Sequence, residues 1–230
     1  MTEPKLIEVD EWVFRVRKAP GEGSNRLMLL LHGYLGNENV MWVLAQPLSA
    51  SYTMLAPRAP LKMGDNQYSW HKLGMRWPSL DFYQRLTQDL LNHVDTWLKD
   101  NHINETTLDL MGFSQGAAIA YAMALLHPER IGKIAALAGF IPISWKKHLN
   151  PSKLTNRKFF IAHGTRDLTV PISRAHQAVS WLKENGADVT FCESDIDHKL
   201  SATCFKGLEK FFDTNGSATA DEGDHRQEDT

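Results

Sequence analysis

The chain is predicted to fold as an α/β protein with a mostly parallel central sheet and helices on both faces. Three observations lead there. Strand-like and helix-like runs alternate along the chain, and several of the strand-like runs are apolar at every position. The segment Gly112-Phe113-Ser114-Gln115-Gly116 also joins a strand-like run directly to an Ala-rich helical one. Uniformly apolar strands belong to sheets covered on both sides, and strand-helix alternation generates parallel crossovers.

In chain order, residues 12–17 alternate apolar and charged side chains, as a half-exposed edge strand does, whereas 27–31 and 52–56 read as interior strands. The stretch from 61 to 77 crowds Leu61, Met63, Tyr68, Trp70, Leu73, Met75 and Trp77 among glycines and polar residues, too irregularly for a regular element. From Ser79 a long amphipathic helix repeats Phe82, Leu86, Leu90, Val94 and Leu98 at helical spacing. Strands follow at 107–111, 133–137, 158–162 and 188–192, with a helix at 173–185 that Gly186 stops. The last helix carries Leu200, Cys204, Leu208 and Phe212 on one face. Residues 1–212 are expected to form a single domain. Residues 213–230, rich in Gly, Ser, Thr and acidic residues without a large apolar side chain, are expected to be a disordered acidic tail.

At 230 residues and 43% hydrophobic content the chain can bury one core. A net charge of -2 provides no electrostatic footprint for nucleic acid, and no apolar run reaches membrane-spanning length, so neither nucleic-acid binding nor membrane insertion is expected. The two cysteines, Cys192 and Cys204, do not make a disulfide framework. With no signal-peptide pattern at Met1-Thr2-Glu3-Pro4, they are expected as reduced thiols in a cytoplasmic protein. A homodimer is compatible with this composition.

A Gly-x-Ser-x-Gly turn between a strand and a helix is so tight that the residues flanking the serine must be small, and it lifts the Ser114 hydroxyl above the sheet. That hydroxyl is a weak nucleophile until a histidine takes its proton and a carboxylate orients the histidine. Asp167, in the loop after the 158–162 strand, and His198, after the 188–192 strand, stand in the order Ser, acid, His. Asp195 and Asp197 are rival acids, less suited because neighbours in one loop rarely reach the far ring nitrogen. An oxyanion needs backbone N–H donors. Gln115 is one; the other is Tyr34 or Leu35, in His32-Gly33-Tyr34-Leu35-Gly36-Asn37, where Gly33 and Gly36 would turn the amides inward. The side chains of Gln115 and Tyr34 are expected to matter less than their amides. His32 and His163, each before a glycine at a strand end, are expected to brace loops. No His-x-x-x-His or Cys-x-x-Cys spacing supports a metal site, and no cofactor is expected.

The pieces Leu31-His32-Gly33, Ala56-Pro57-Arg58-Ala59-Pro60, Gly112-Phe113-Ser114-Gln115-Gly116-Ala117, Ala138-Gly139-Phe140-Ile141-Pro142, His163-Gly164-Thr165-Arg166-Asp167 through Val170-Pro171, and His198 span most of the chain. Together they resemble the phospholipase/carboxylesterase family of α/β-hydrolases, which includes carboxylesterases and acyl-protein thioesterases. The resemblance implies an α/β-hydrolase fold, with Ser114 as nucleophile, Asp167 as acid and His198 as base. The chain departs from the family pattern in two places. One extra residue separates Gly33 from Gly36, and Asp197 precedes His198 where the family commonly has Gly.

The expected activity is a serine hydrolase cleaving small carboxylic esters of short to medium acyl chain through an acyl-enzyme. Lysophospholipase or acyl-protein thioesterase activity is the alternative, and a catalytically silent ligand- or protein-binding module the more distant one. Leu35, Tyr68, Trp70, Met75, Trp77, Phe140 and Ile141 are the expected substrate-binding residues, although those of the 61–77 stretch could equally form a satellite core.

Overall fold

Strands apolar at every position must be covered twice, and the sheet is built that way. Its strands are β1 (Lys5–Val9), β2 (Trp12–Arg17), β3 (Arg26–Leu31), β4 (Tyr52–Pro57), β7 (Leu108–Phe113), β8 (Ile131–Leu137), β9 (Lys158–Gly164) and β10 (Asp188–Ser194), while β5 (Leu61–Gly64) and β6 (Gln67–Ser69) form a separate hairpin. The helices are α1 (Trp42–Ala45), α2 (Leu80–Asp100), α3 (Gln115–Leu126), α4 (Pro151–Leu154), α5 (Ile172–Glu184) and α6 (Ala202–Asp213). The structure, a computed structural model, describes residues 3–20, 26–45, 48, 51–74 and 77–213. The expected tail therefore lies, beyond Asp213, outside the described residues.

The sheet order is β1-β2-β4-β3-β7-β8-β9-β10, antiparallel through β1, β2 and β4 and parallel from β4 to β10. Alternate residues of each inner strand feed two cores. Leu27, Leu29, Leu31, Leu108, Leu110, Ile134, Phe159 and Ile161 pack with buried residues of α2, α3 and α5. Met28, Leu30, Met54, Met111, Leu137, Phe160 and Ala162 pack with Ala45 of α1 and Cys204, Leu208 and Phe212 of α6. From β3 the chain passes to β4 on one side and later to β7 on the other, so the sheet reverses direction there. Ligand sites in open parallel sheets form outside the carboxyl ends of the strands at such a switch point.

Three local expectations are corrected. Residues 12–17 are not the sheet edge: β1 pairs with β2 through a turn in which Asp10 has φ 50°. The charged residues of β2 misled because arginine stems pack well; Arg17 is only 6% exposed, its guanidinium 5.8 Å from the Trp42 ring centroid. The 61–77 stretch does contain regular structure, the β5-β6 hairpin. The buried stripe of α2 holds Leu90, Val94 and Leu98 but begins at Leu80 and Tyr83, which leaves Phe82 47% exposed.

The fourth correction is chemical. Cys192 of β10 and Cys204 of α6 are joined as a disulfide with Cα atoms 5.6 Å apart, not present as reduced thiols. They lie 12 positions apart in sequence, and the return of the chain from β10 into α6 brings them together. Alkylation of the denatured, unreduced protein is expected to modify neither cysteine. Reduction is expected to lower stability by about 2–3 kcal/mol, the usual value for a loop of this length, read as a shift in urea midpoint. Full alkylation without reductant would refute the bond.

Candidate active site

At the end of β7 the backbone has no room to spare. A Cβ on Gly116 would lie 2.0 Å from the Leu31 carbonyl oxygen, and one on Gly112 would lie 2.3 Å from the Gly116 oxygen. Ser114 between them takes φ 54° and ψ -114°, a conformation costly for a side-chain-bearing residue. Its N–H continues the sheet ladder by donating to the Leu137 carbonyl at 2.8 Å, and its carbonyl accepts from Ala117 at 3.0 Å, which starts α3. Gln115 is the first residue of that helix. Its N–H accordingly has no partner within the helix, and the positive end of the helix dipole lies beside Ser114.

The Asp167 carboxylate is buried and held by three hydrogen bonds. Oδ1 accepts from the Thr169 and Val170 N–H groups, both at 2.8 Å, and Oδ2 bonds His198 Nδ1 at 2.6 Å; His163 Nε2 lies 3.3 Å from Oδ2 but bonds the Val170 carbonyl at 2.7 Å. Burial alone would raise its pKa, but the Val170 N–H and His198 outweigh it and hold the group below the usual carboxylate range. A carboxylate that fixes one imidazole nitrogen leaves the other free to take a proton. Asp195 is engaged elsewhere, with Arg166 Nε at 3.1 Å. The His198 ring lies 5.0 Å from the Phe113 ring. His198, Phe113 and Gly33 line one cleft of about 560 Å³, and a Cβ on Gly33 would lie 3.3 Å from the Ser114 Cβ. Asp167 and His198 thus meet beyond the carboxyl ends of β9 and β10, with the His198 ring against Phe113, the residue before Ser114 at the end of β7.

The loop after β3 forms a turn in which the Gly36 N–H donates to the Gly33 carbonyl at 3.0 Å. The left-handed position in it belongs to Leu35, with φ 62°, and not to either glycine as expected. What demands small residues here is contact: a Cβ on Gly36 would lie 2.8 Å from His32 Nδ1. The loop is clamped from outside. Tyr68 N–H donates to the Gly36 carbonyl at 3.0 Å, and buried Glu38 receives two bonds from Arg58, at 2.8 and 2.9 Å. His32 is fully buried; Nδ1 lies 2.7 Å from the Gly33 carbonyl and Nε2 accepts from Ala59 N–H at 3.0 Å. That pattern suits a neutral ring, and burial pushes its pKa down to about 4.

The Gln115 side chain matters more than expected. Its Oε1 accepts from Trp70 N–H at 3.0 Å and its Nε2 lies 3.1 Å from His71 Nδ1, which ties residues 69–71 to the serine turn. His71 is also buried and neutral, its pKa pushed down to about 4 by burial. Neither its position nor that of Glu38 carried a sequence signal, and Arg58 was marked only as part of the 56–60 motif, without this role.

The expected substrate-binding residues divide. Leu35 lines the cleft and is 39% exposed. Trp77 and Phe140 are half-buried with ring centroids 4.8 Å apart. Trp70 and Ile141 are each 1% exposed and belong to the core; the Trp70 indole donates to the His32 carbonyl at 2.8 Å. Tyr68 braces the β3 loop beneath Arg58. Met75 lies outside the described residues. Unforeseen were Val40, Val43, Leu44 and Leu200, which join Leu35 in the cleft; Val43 is 76% exposed. Such a cluster of exposed apolar side chains marks a binding surface. The run Val40-Met41-Trp42-Val43-Leu44 was the available signal.

A family model described as Phospholipase/Carboxylesterase matches residues 15–215. An acyl-protein thioesterase 1 of Emericella nidulans is 28% identical over 212 residues, 81% of this chain and 88% of that protein. One of Aspergillus fumigatus is 30% identical over 173 residues, 68% and 72% of the two chains. The crystal structure of a Mesorhizobium loti carboxylesterase superposes with a TM-score of 0.74 at 19% identity, covering 91% of this chain and 98% of that one.

The buried neutral histidines link stability to pH. Unfolded imidazoles titrate near pH 6.5, whereas His32 and His71 resist protonation in the fold to about pH 4. Between these values the unfolded chain binds more protons, so stability is fully present above about pH 6.5 and falls as pH is lowered towards 4. His32 alone contributes a loss on the order of 3 kcal/mol across that window. Thermal melts at several pH values are expected to show this fall, and the His32→Gln variant a shallower one.

Proposed function

The chain belongs to the phospholipase/carboxylesterase family of α/β-hydrolases, and on that footing we propose that it is a serine hydrolase of carboxylic esters working through Ser114, His198 and Asp167. The observation that carries the reading is the 2.6 Å bond between His198 Nδ1 and buried Asp167, made at the rim of the cleft that also holds Gly33 and Phe113.

His198 Nε2 takes the Ser114 proton as Oγ attacks the ester carbonyl. The Gln115 and Tyr34 amides, with Leu35 as the alternative to Tyr34, hold the oxyanion. Collapse of the tetrahedral species breaks the bond to the alcohol, which leaves with the proton from His198. Water, deprotonated by His198, then attacks the acyl-Ser114 ester and releases the acid. Asp167 keeps Nδ1 protonated and stabilises the imidazolium. Because its pKa lies below the usual range, Asp167 stays ionised across the working pH.

The cleft of about 560 Å³ suits a short to medium chain. The names of the two fungal relatives favour a second reading, hydrolysis of acyl thioesters on proteins. Among the described residues no helix is long and apolar enough to cross a membrane. The bonded Cys192–Cys204 pair favours an oxidising compartment over the cytoplasmic placement expected from the sequence.

Ser114→Ala is expected to lower kcat on aryl esters by several orders of magnitude with the melting temperature little changed, and Asp167→Asn to lower it about 10⁴-fold. A fluorophosphonate probe is expected to label Ser114 alone. Retained hydrolysis by the purified Ser114→Ala protein would sink the mechanism. A folded wild-type protein that resists the probe would favour the silent binding module. Rates on thioesters and lysolipids, compared with aryl esters of increasing chain length, separate the remaining substrate classes.

A further inference from the structure

On the β8 side of the serine turn, across from the apolar cleft, lies a cation that pairs with no carboxylate among the described residues. β3 and β8 flank β7 on opposite sides, so the loops after them, carrying Gly33 and Gly139, stand on opposite sides of the serine. Gly139 is pressed against the turn: a Cβ there would meet the Ala117 Cβ at 2.3 Å and the Ser114 carbonyl at 3.2 Å. The next residue, Phe140, supports Arg174, whose guanidinium carbon sits 4.8 Å from the ring centroid. Trp77 packs on Phe140 at 4.8 Å and His71 on Trp77 at 4.4 Å, which makes an aromatic floor running from the Gln115 side chain to Arg174.

Arg174, half-buried in the first turn of α5, donates a hydrogen bond to the Ile141 carbonyl at 3.5 Å, the outer limit for such a bond. Among the described residues no carboxylate pairs with it, whereas Arg58, Arg130 and Arg166 each have one within 3.1 Å. Asp167 does not serve, because its oxygens are taken by the Thr169 and Val170 amides and by His198. Burial lowers the pKa of Arg174, so the charge is held at a desolvation cost that a bound anion would offset. The amino end of α5 adds positive field at the same place.

We infer that Arg174 is a specificity determinant that binds a carboxylate carried by the ester, so that the substrates are esters with a free carboxylate on one side of the scissile bond and a short apolar group on the other. The guanidinium fork suits a planar carboxylate, and Phe140 holds it flat. The inference rests on the esterase reading above.

The test uses two matched pairs: 4-nitrophenyl hydrogen glutarate against 4-nitrophenyl pentanoate, and O-butyrylglycolate against its methyl ester. The readout is the ratio of kcat/KM for the anionic to the neutral member, in wild type, Arg174→Gln and Arg174→Lys. Wild type is expected to prefer the anionic member of at least one pair. Arg174→Gln is expected to lower that ratio about 10- to 100-fold, in line with loss of a charge-assisted contact. Arg174→Lys is expected to recover part of it, and added salt to reduce it in wild type. A ratio equal in wild type and Arg174→Gln for both pairs overturns the inference, as does a uniform loss on both members, which marks a structural role. Hydrolysis of neutral esters without charge preference leaves the esterase reading standing and removes only Arg174. If wild type cleaves no member of either pair, both readings fall together.

Discussion

Everything at the site depends on how closely β7 and the start of α3 approach the strands beside them. With no space for a Cβ at Gly112 or Gly116, the turn between them is fixed against β3, and Ser114 is forced into a conformation it would not adopt alone. A looser turn would let the serine relax and sink toward the sheet. The strain is offset by the buried alanines of α3, which lie against β7 and β8 with almost no exposed surface. The carboxyl ends of β3 and β8 then become the two banks of the site, since each neighbours β7 directly.

Around that fixed point the loops are held by polar contacts rather than by regular structure. Glu38 and Arg58 pin the loop after β3, Gln115 pins residues 69–71, and the Thr169 and Val170 amides pin Asp167. In each contact at least one partner, Glu38, Gln115 or Asp167, is buried, where an unmatched group is costly, and each contact therefore specifies one arrangement. Neutral histidines suit such positions because one ring nitrogen donates while the other accepts, as His32 does between Gly33 and Ala59. The same neutrality ties the site's integrity to pH.

The two banks differ chemically. One presents exposed aliphatic side chains beside His198; the other presents an aromatic floor ending in a guanidinium that pairs with no carboxylate among the described residues. A substrate lying across Ser114 meets both, so the asymmetry of the pocket sets the asymmetry of the ester it favours. The Cys192–Cys204 bond closes the segment that carries His198, and this covalent tie limits how far the imidazole can wander from Asp167.

The sequence by itself determined the α/β class and the interior strands, and it singled out Ser114, Asp167 and His198 as the proposed triad, because each carries a local signature: uninterrupted apolar runs, a small-x-Ser-x-small turn, and an acid and a histidine at strand ends. Local patterns are legible when the constraint acts between near neighbours in the chain. Tertiary structure alone decided the rest. Trp70 and Ile141 look like pocket residues in a one-dimensional reading, yet whether a large apolar side chain fills a core or faces a ligand depends on which distant surface covers it. The pairing of Cys192 with Cys204, the pinning of Gln115 to residues 69–71 and the isolation of Arg174 depend equally on through-space distances. Proximity between segments far apart in the chain leaves no imprint on either segment read alone.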